Sequence, residues 1–170
     1  MPNPEWHALF VITGGEDKVK ERLQYRFQDQ FRIMVPKRKL RERKNGAWHY
    51  TTRVLFPGYV IFKGNIDAET YYSLKDIPGI IRLLKTGFEL ASIGEGEMNI
   101  LSRLVCNEEE IGISSLLMEN GNVRVIDGPL YSMEGIIKDI NIRKGRAKVV
   151  LSFLGEERVV ELGVSLLEPA

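Results

Sequence analysis

Cysteine and histidine are almost missing from this chain, with one Cys and two His in 170 residues. A lone thiol, Cys106, cannot form an intramolecular disulfide framework, and so few nitrogen and sulfur ligands argue against a structural metal site. No metal and no cofactor is expected. Long apolar runs are missing too: none approaches the ~20 residues that a membrane helix needs. The first residues, MPNPEWHALFVI, lack the basic start and long apolar centre of a signal peptide, so the expected location is intracellular and cytoplasmic, with no membrane partner. Nor is there a nucleophile–His–acid set, a phosphate loop or a metal-ligand spacing. His7 falls in an apolar run and reads as structural, His49 has no evident acid partner nearby, and Cys106 has no His neighbour. The chain therefore reads as a non-enzyme.

What is present is ordinary in amount and uneven in placement. Hydrophobic residues make up 44% and charged residues 28%, as in a globular protein of one medium or two small domains. The net charge of +1 hides an asymmetry: residues 1–60 carry twelve Lys and Arg against six Asp and Glu, and residues 119–170 seven against eight. A basic patch in the first third attracts phosphates or an acidic partner. The same charges would also suit a solvated strand pair that resists edge-to-edge aggregation.

Along the chain, 6–13 reads as a strand broken by Gly14-Gly15, and 16–28 as a helix. Val19, Leu23 and Phe27 recur every four residues on one helix face, and Lys18, Arg22 and Arg26 on another. Residues 31–43 read as an extended arm, Asn45-Gly46 as a tight hairpin turn, and 47–54 as the returning arm. A buried strand is expected over 59–62, helices over 67–75 and 94–104, and a short strand over 80–84. Residues 106–119, with three consecutive acids and little periodicity, read as a linker in which Ile113, Leu116, Leu117 and Met118 form an apolar complication. Beyond it the texture is β throughout: VRVI, GIIKDI, AKVVLSF and ERVVEL are separated by glycine-containing turns, which predicts a small barrel.

Several of these residues together resemble the NusG family of transcription elongation factors. Phe56-Pro57-Gly58-Tyr59-Val60, then Ile77-Pro78-Gly79-Ile80, then Asp127-Gly128-Pro129 followed by Glu134-Gly135, occur in the family's order, and the resemblance covers essentially the whole chain. It implies an α+β protein. An N-terminal NGN domain (1–105), an α/β sandwich with an antiparallel sheet and flanking helices, would be joined by a linker (106–119) to a C-terminal KOW domain (120–170), an SH3-like small β-barrel.

The resemblance also implies partners. NGN domains bind the clamp helices of the RNA polymerase β′ subunit through an apolar groove, which points here to Phe56 and Tyr59, with Trp6 and Phe10 in support. Other members contact the non-template DNA strand. Lys37, Arg38, Lys39, Arg41, Arg43 and Lys44, with His49, Thr51, Thr52 and Arg53, are the counterparts expected here, the face of Lys18, Arg22 and Arg26 is another, and Trp48 and Tyr50 suit stacking on an unpaired base. In the KOW domain the family's usual Ile-Phe-Gly-Arg loop, which engages termination factor Rho or a ribosomal protein, is replaced by Phe153-Leu154-Gly155-Glu156. That departure suggests a specialised paralogue, most similar to the LoaP type of antiterminator, whose KOW domain reads a leader RNA hairpin. Arg124, Lys138, Arg143, Lys144, Arg146 and Lys148 are the basic residues expected to serve it. A general NusG-type factor working with Rho or the ribosome, and a stand-alone RNA-binding KOW protein, are the alternatives. A monomer is expected.

Overall fold

The computed structural model describes residues 5–86, 89–105 and 109–167. In chain order the elements are β1 (Trp6–Val11), α1 (Glu16–Phe27), β2 (Arg32–Met34), β3 (Lys37–Lys44), β4 (Ala47–Val54), β5 (Tyr59–Lys63), α2 (Ala68–Lys75) and β6 (Ile80–Leu83). Then follow β7 (Lys85–Thr86), β8 (Glu89–Leu90), α3 (Glu95–Leu104), β9 (Glu110–Ile111), β10 (Ser114–Glu119), β11 (Asn122–Asp127), β12 (Ile137–Asn141), β13 (Arg146–Phe153) and β14 (Glu156–Leu167). They belong to two compact units: Met1–Val35 with Phe56–Met98, and Pro36–Leu55 with Asn99–Ala170. No helix among the described residues is long and apolar enough to cross a membrane.

The first unit is built on a four-stranded sheet in the order β2-β5-β1-β6. Antiparallel registers bring Leu9 opposite both Val60 and Leu83, and Phe62 opposite both His7 and Ile33. Helix α1 buries Val19, Leu23 and Phe27, the four-residue repeat legible in the sequence. The aromatic contacts continue from Phe27 to Phe31 (4.9 Å), from Phe31 to Phe62 (5.3 Å), and from Phe62 to the His7 ring (5.5 Å). With its Nδ1 3.2 Å from the Ala91 carbonyl, His7 is part of this packing, as its apolar setting suggested. At the start of α2, Asp67 accepts the Thr70 N–H at 2.7 Å, a side-chain cap that also holds its carboxyl below the ordinary value.

The second unit joins the β3–β4 hairpin to a curled five-stranded sheet in the order β11-β10-β14-β13-β12. The hairpin turns at Asn45 and Gly46, both with positive φ (55° and 78°), which matches the twist of the two strands. Inside the curl lie Leu116, Val125, Ala147, Val149, Leu151, Phe153, Leu162 and Val164, all buried. This is the small C-terminal barrel that the four β runs predict.

Two expectations need correction. The stretch expected as a linker, 106–119, is not a tether over its described residues, 109–119. Cys106, Asn107 and Glu108 lie outside the described residues, but Glu110–Ile111 pairs in parallel with β3, and Ser114–Glu119 is a central barrel strand between β11 and β14. Its inward positions are Ser114 and Leu116, and a serine there hides the alternation; Ser114 is buried because its Oγ accepts the Leu130 N–H at 2.9 Å. The expected arm over 31–43 is two strands, not one. Pro36 has no N–H to continue a ladder, so β2 pairs with β5 in the first unit and β3 begins afresh in the second. In the compact units the hairpin is grouped with the C-terminal barrel strands.

Candidate functional site

One candidate surface lies on the first unit. Because strand residues alternate, the pairs Trp6 opposite Lys63, Ala8 opposite Ile61, Phe10 opposite Tyr59 and Phe10 opposite Arg82 place all these residues on one sheet face. Trp6, Phe10 and Tyr59 are half-buried there. The Phe10 and Tyr59 rings meet edge to face at 5.7 Å, and cations rim the band: Arg82 at 5.3 Å from the Phe10 centroid, and Arg32 and Lys63 at 5.7 and 6.0 Å from Trp6. Phe56 is different. At 5% exposure it is a core residue, and it contributes through its carbonyl, which accepts the Tyr59 N–H at 3.2 Å.

The turn that presents Tyr59 is held by a residue that sequence reasoning missed. Glu16, at 3% exposure, accepts the Gly14 N–H at 2.9 Å and the Gly58 N–H at 2.8 Å. Gly58 has φ +88°, its carbonyl accepts the Val11 N–H at 2.8 Å, and a methyl group on it would lie 3.5 Å from the Phe10 ring. A buried carboxylate at the first turn of a helix, joined to two glycine amides, fixes this segment against α1 and β1. The sequence signal was visible as an acid directly after Gly14-Gly15, but its second partner is 42 residues away. On the helix side of the same unit, a groove of about 430 Å³ is lined by Lys18, Arg22, Tyr25, Arg26, Ile77 and Pro78 among others. Arg22 is pinned there by donating to the Pro78 carbonyl at 2.8 Å, while Tyr25 is 87% exposed.

A second candidate surface lies on the hairpin. Pairing of Lys39 with Thr52, Arg41 with Tyr50 and Arg43 with Trp48 assembles cations and aromatics on one face. Lys39 lies 4.9 Å from the Tyr50 centroid, and Arg41 and Arg43 lie 4.5 and 5.9 Å from that of Trp48. Lys44 and His49 are exposed near the hairpin tip, and Thr51 is half-buried on β4. The remaining expected residues are engaged within the chain. Lys37 pairs with Glu109 at 3.2 Å, Thr52 donates to Glu110 at 3.1 Å, and Arg53 forks onto Glu42 at 3.1–3.3 Å. Hydrogen bonds from Arg53 hold the Glu42 carboxyl below its ordinary value, and that partner raises Arg53 in turn. Arg38 donates to the Glu161 carbonyl at 2.7 Å, and burial lowers its pKa, with Arg146 adding to the effect.

The barrel cations fall into separate groups. Arg143 and Lys144 are exposed on the β12–β13 turn, where the Lys144 N–H reaches the Asn141 side chain at 3.0 Å. Lys138 and Lys148 are exposed on the adjoining strands. Arg124 pairs with Glu119 at 3.2 Å on the β10–β11 hairpin. Arg146 is only 18% exposed in its side chain and bonds to Glu161 at 3.0 Å. At the end of β13, Phe153 is 1% exposed, whereas Val159 on β14 is 64% exposed. The aromatic just before the β13–β14 turn is therefore a core residue.

Comparison with known proteins gives the family and the fold. A family model described as transcription termination factor nusG matches residues 4–102. The transcription termination/antitermination protein NusG of Bacillus subtilis (strain 168) is 32% identical over 173 residues, which covers 92% of this chain and 93% of that protein. The protein of the same name from Escherichia coli (strain K12) is 27% identical over 177 residues, covering 99% and 98%. A solved structure described as "Domain interaction in Thermotoga maritima NusG" shares the fold with a TM-score of 0.59 at 23% identity, covering 94% of this chain and 93% of that one. The family consists of transcription factors, not enzymes. This chain belongs to the NusG family.

Proposed function

We propose that this chain is an antitermination factor that binds RNA polymerase through its NGN domain and suppresses pausing and termination, acting in the cytoplasm. The observation that carries the reading is the half-buried Trp6–Phe10–Tyr59 band, with its rim of Arg32, Lys63 and Arg82, on one sheet face. An amphipathic helical partner can lay its apolar side on such a band and its acids against the rim. The groove of Lys18, Arg22 and Arg26 and the cationic face of the hairpin supply phosphate contacts for the non-template strand or a leader transcript. No bond chemistry is required. A protein that binds the pause-resistant state of the polymerase better than the paused state shifts the balance by its differential affinity.

Within this reading the chain is a specialised paralogue of the LoaP type, with the KOW domain taking a leader RNA hairpin. Burial of Phe153 and the exposed Glu156 in place of the family's arginine support that assignment over a Rho- or ribosome-coupled factor. The test is multi-round transcription by purified polymerase through a terminator, with the full chain and with Tyr59→Ala. Readthrough rises with the wild-type chain, and the variant needs roughly 10- to 30-fold more protein for the same effect, as expected for truncating an anchoring aromatic. Equal readthrough with and without the wild-type chain, on templates carrying candidate leaders, rejects the proposal.

A further inference from the structure

Cations that the sequence assigns to two different tasks lie side by side in the second unit. Strand β3 runs so near β14 that a methyl group on Gly163 would fall 2.5 Å from the Lys39 carbonyl oxygen. Arg146 fastens the contact: its guanidinium reaches Glu161 at 3.0 Å, the Arg41 carbonyl at 3.2 Å and Glu42 at 3.8 Å. Arg38 adds its bond to the Glu161 carbonyl. The β3 face bearing Arg38, Leu40 and Glu42 is thus the one engaged, and Leu40 is 1% exposed. Alternation leaves Lys39, Arg41 and Arg43 on the other face with Tyr50 and Trp48, which are 63% and 41% exposed. The β12–β13 turn comes up beside that face: a methyl group on Gly145 would lie 3.9 Å from the Arg41 guanidinium. The turn is itself fixed, because the Gly145 carbonyl accepts the Val164 N–H at 3.0 Å. It carries Arg143 and Lys144 into solvent.

We infer that the hairpin face and the β12–β13 turn form one site for a folded RNA, with Arg146 as its positioning residue. The site has two rows of cations on different elements but aromatics on only one of them. A stem supplies two backbones for the two rows, and an unpaired base beside it supplies the ring for Trp48 or Tyr50. A single strand would need aromatics and cations along one track only. The inference rests on the nucleic-acid role proposed above and names the residues that act together in it.

The experiment measures binding of the full chain to a short RNA stem-loop with an unpaired purine across a range of salt, with single-stranded DNA of the same length as competitor. Arg43→Ala and Lys144→Ala are surface changes on different elements. Each lowers the log–log salt slope by roughly 0.7–0.9, and the double variant lowers it by the sum. Trp48→Ala weakens binding several-fold with the slope unchanged. Arg146→Ala lowers the slope by more than one contact's worth, because it releases a whole row, and Arg146→Lys restores only part, since an ammonium cannot bridge three acceptors in one plane. If only one of Arg43→Ala and Lys144→Ala changes the slope, the site is not shared. Equal competition by the DNA removes the commitment to folded RNA. A drop of one contact or less for Arg146→Ala makes it an ordinary phosphate ligand. The transcription assay reads the polymerase surface separately, so readthrough that survives any of these results leaves the parent reading standing while this one fails.

Discussion

At the scale of single residues, two buried polar side chains hold backbone amides from other parts of the chain. Glu16 satisfies two glycine amides, one of them 42 residues away, and so ties the Tyr59 turn to the start of α1. Replacing it with Ala leaves the buried Gly58 N–H without an acceptor, and we expect a loss of about 1–3 kcal/mol in urea unfolding, with faster amide exchange at Gly58. Polymerase binding should weaken even under conditions where the variant is fully folded. Unchanged exchange at Gly58 would show that the carboxylate is not what holds the turn. Ser114 is the barrel's counterpart. Ser114→Ala strands the Leu130 N–H and is expected to cost a similar amount, without effect on Tyr59 or its surroundings. Neither role is legible locally, because each depends on a donor brought from a distant part of the chain.

Among the elements, the β3–β4 hairpin is the one whose identity changes most between sequence and structure. Its Asn45-Gly46 turn and returning arm are legible from turn chemistry, but the start of β3 at Lys37 and the attachment to β14 are not. Leu40 marks the attachment. Leu40→Ala should destabilise the chain by about 2–5 kcal/mol in chemical denaturation, a cost of core truncation that a solvated hairpin would not show. Gly163→Ala forces a methyl group against the Lys39 carbonyl, and the expected overpacking cost is about 1–3 kcal/mol with increased amide exchange along β3.

The Glu42–Arg53 and Glu42–Arg146 pairs add a pH dependence to the same element. The folded-state pKa of Glu42 is depressed, chiefly by hydrogen bonds from Arg53, so its contribution is present above the ordinary carboxylate value and is lost as pH falls through the folded one. The difference in thermal midpoint between the wild type and Glu42→Gln should therefore shrink as pH drops below about 4. A difference that stays constant into strong acid would contradict the assignment.

For the whole molecule, the two compact units take alternating stretches of the chain, and the proposed polymerase band and RNA site fall in different units. Substitutions in the Trp6–Phe10–Tyr59 band should alter readthrough and leave RNA affinity intact. Substitutions at Arg43 or Lys144 should do the reverse on templates without a leader hairpin. Pulldown of purified Rho by the full chain is expected to give little retention, since the barrel loop buries Phe153 and presents Glu156. Strong retention of Rho together with unselective RNA binding would favour a general elongation factor.

The sequence by itself determined the family, the helices with four-residue apolar spacing, the tight hairpin turn, the β texture of the C-terminal third and the absence of catalytic constellations. These follow from local periodicity, turn chemistry and short motifs, all of which are written in consecutive residues. Only the tertiary structure decided that Phe56 is core while Tyr59 stays half-buried, that Ser114–Glu119 is a barrel strand, and that Arg38, Arg53 and Arg146 are held by partners inside the chain. The reason is common to all of these. A side chain's exposure and its charge partners are set by what long-range pairing brings against it, and a run of basic residues reads the same whether its guanidiniums face solvent or a carboxylate more than a hundred positions away.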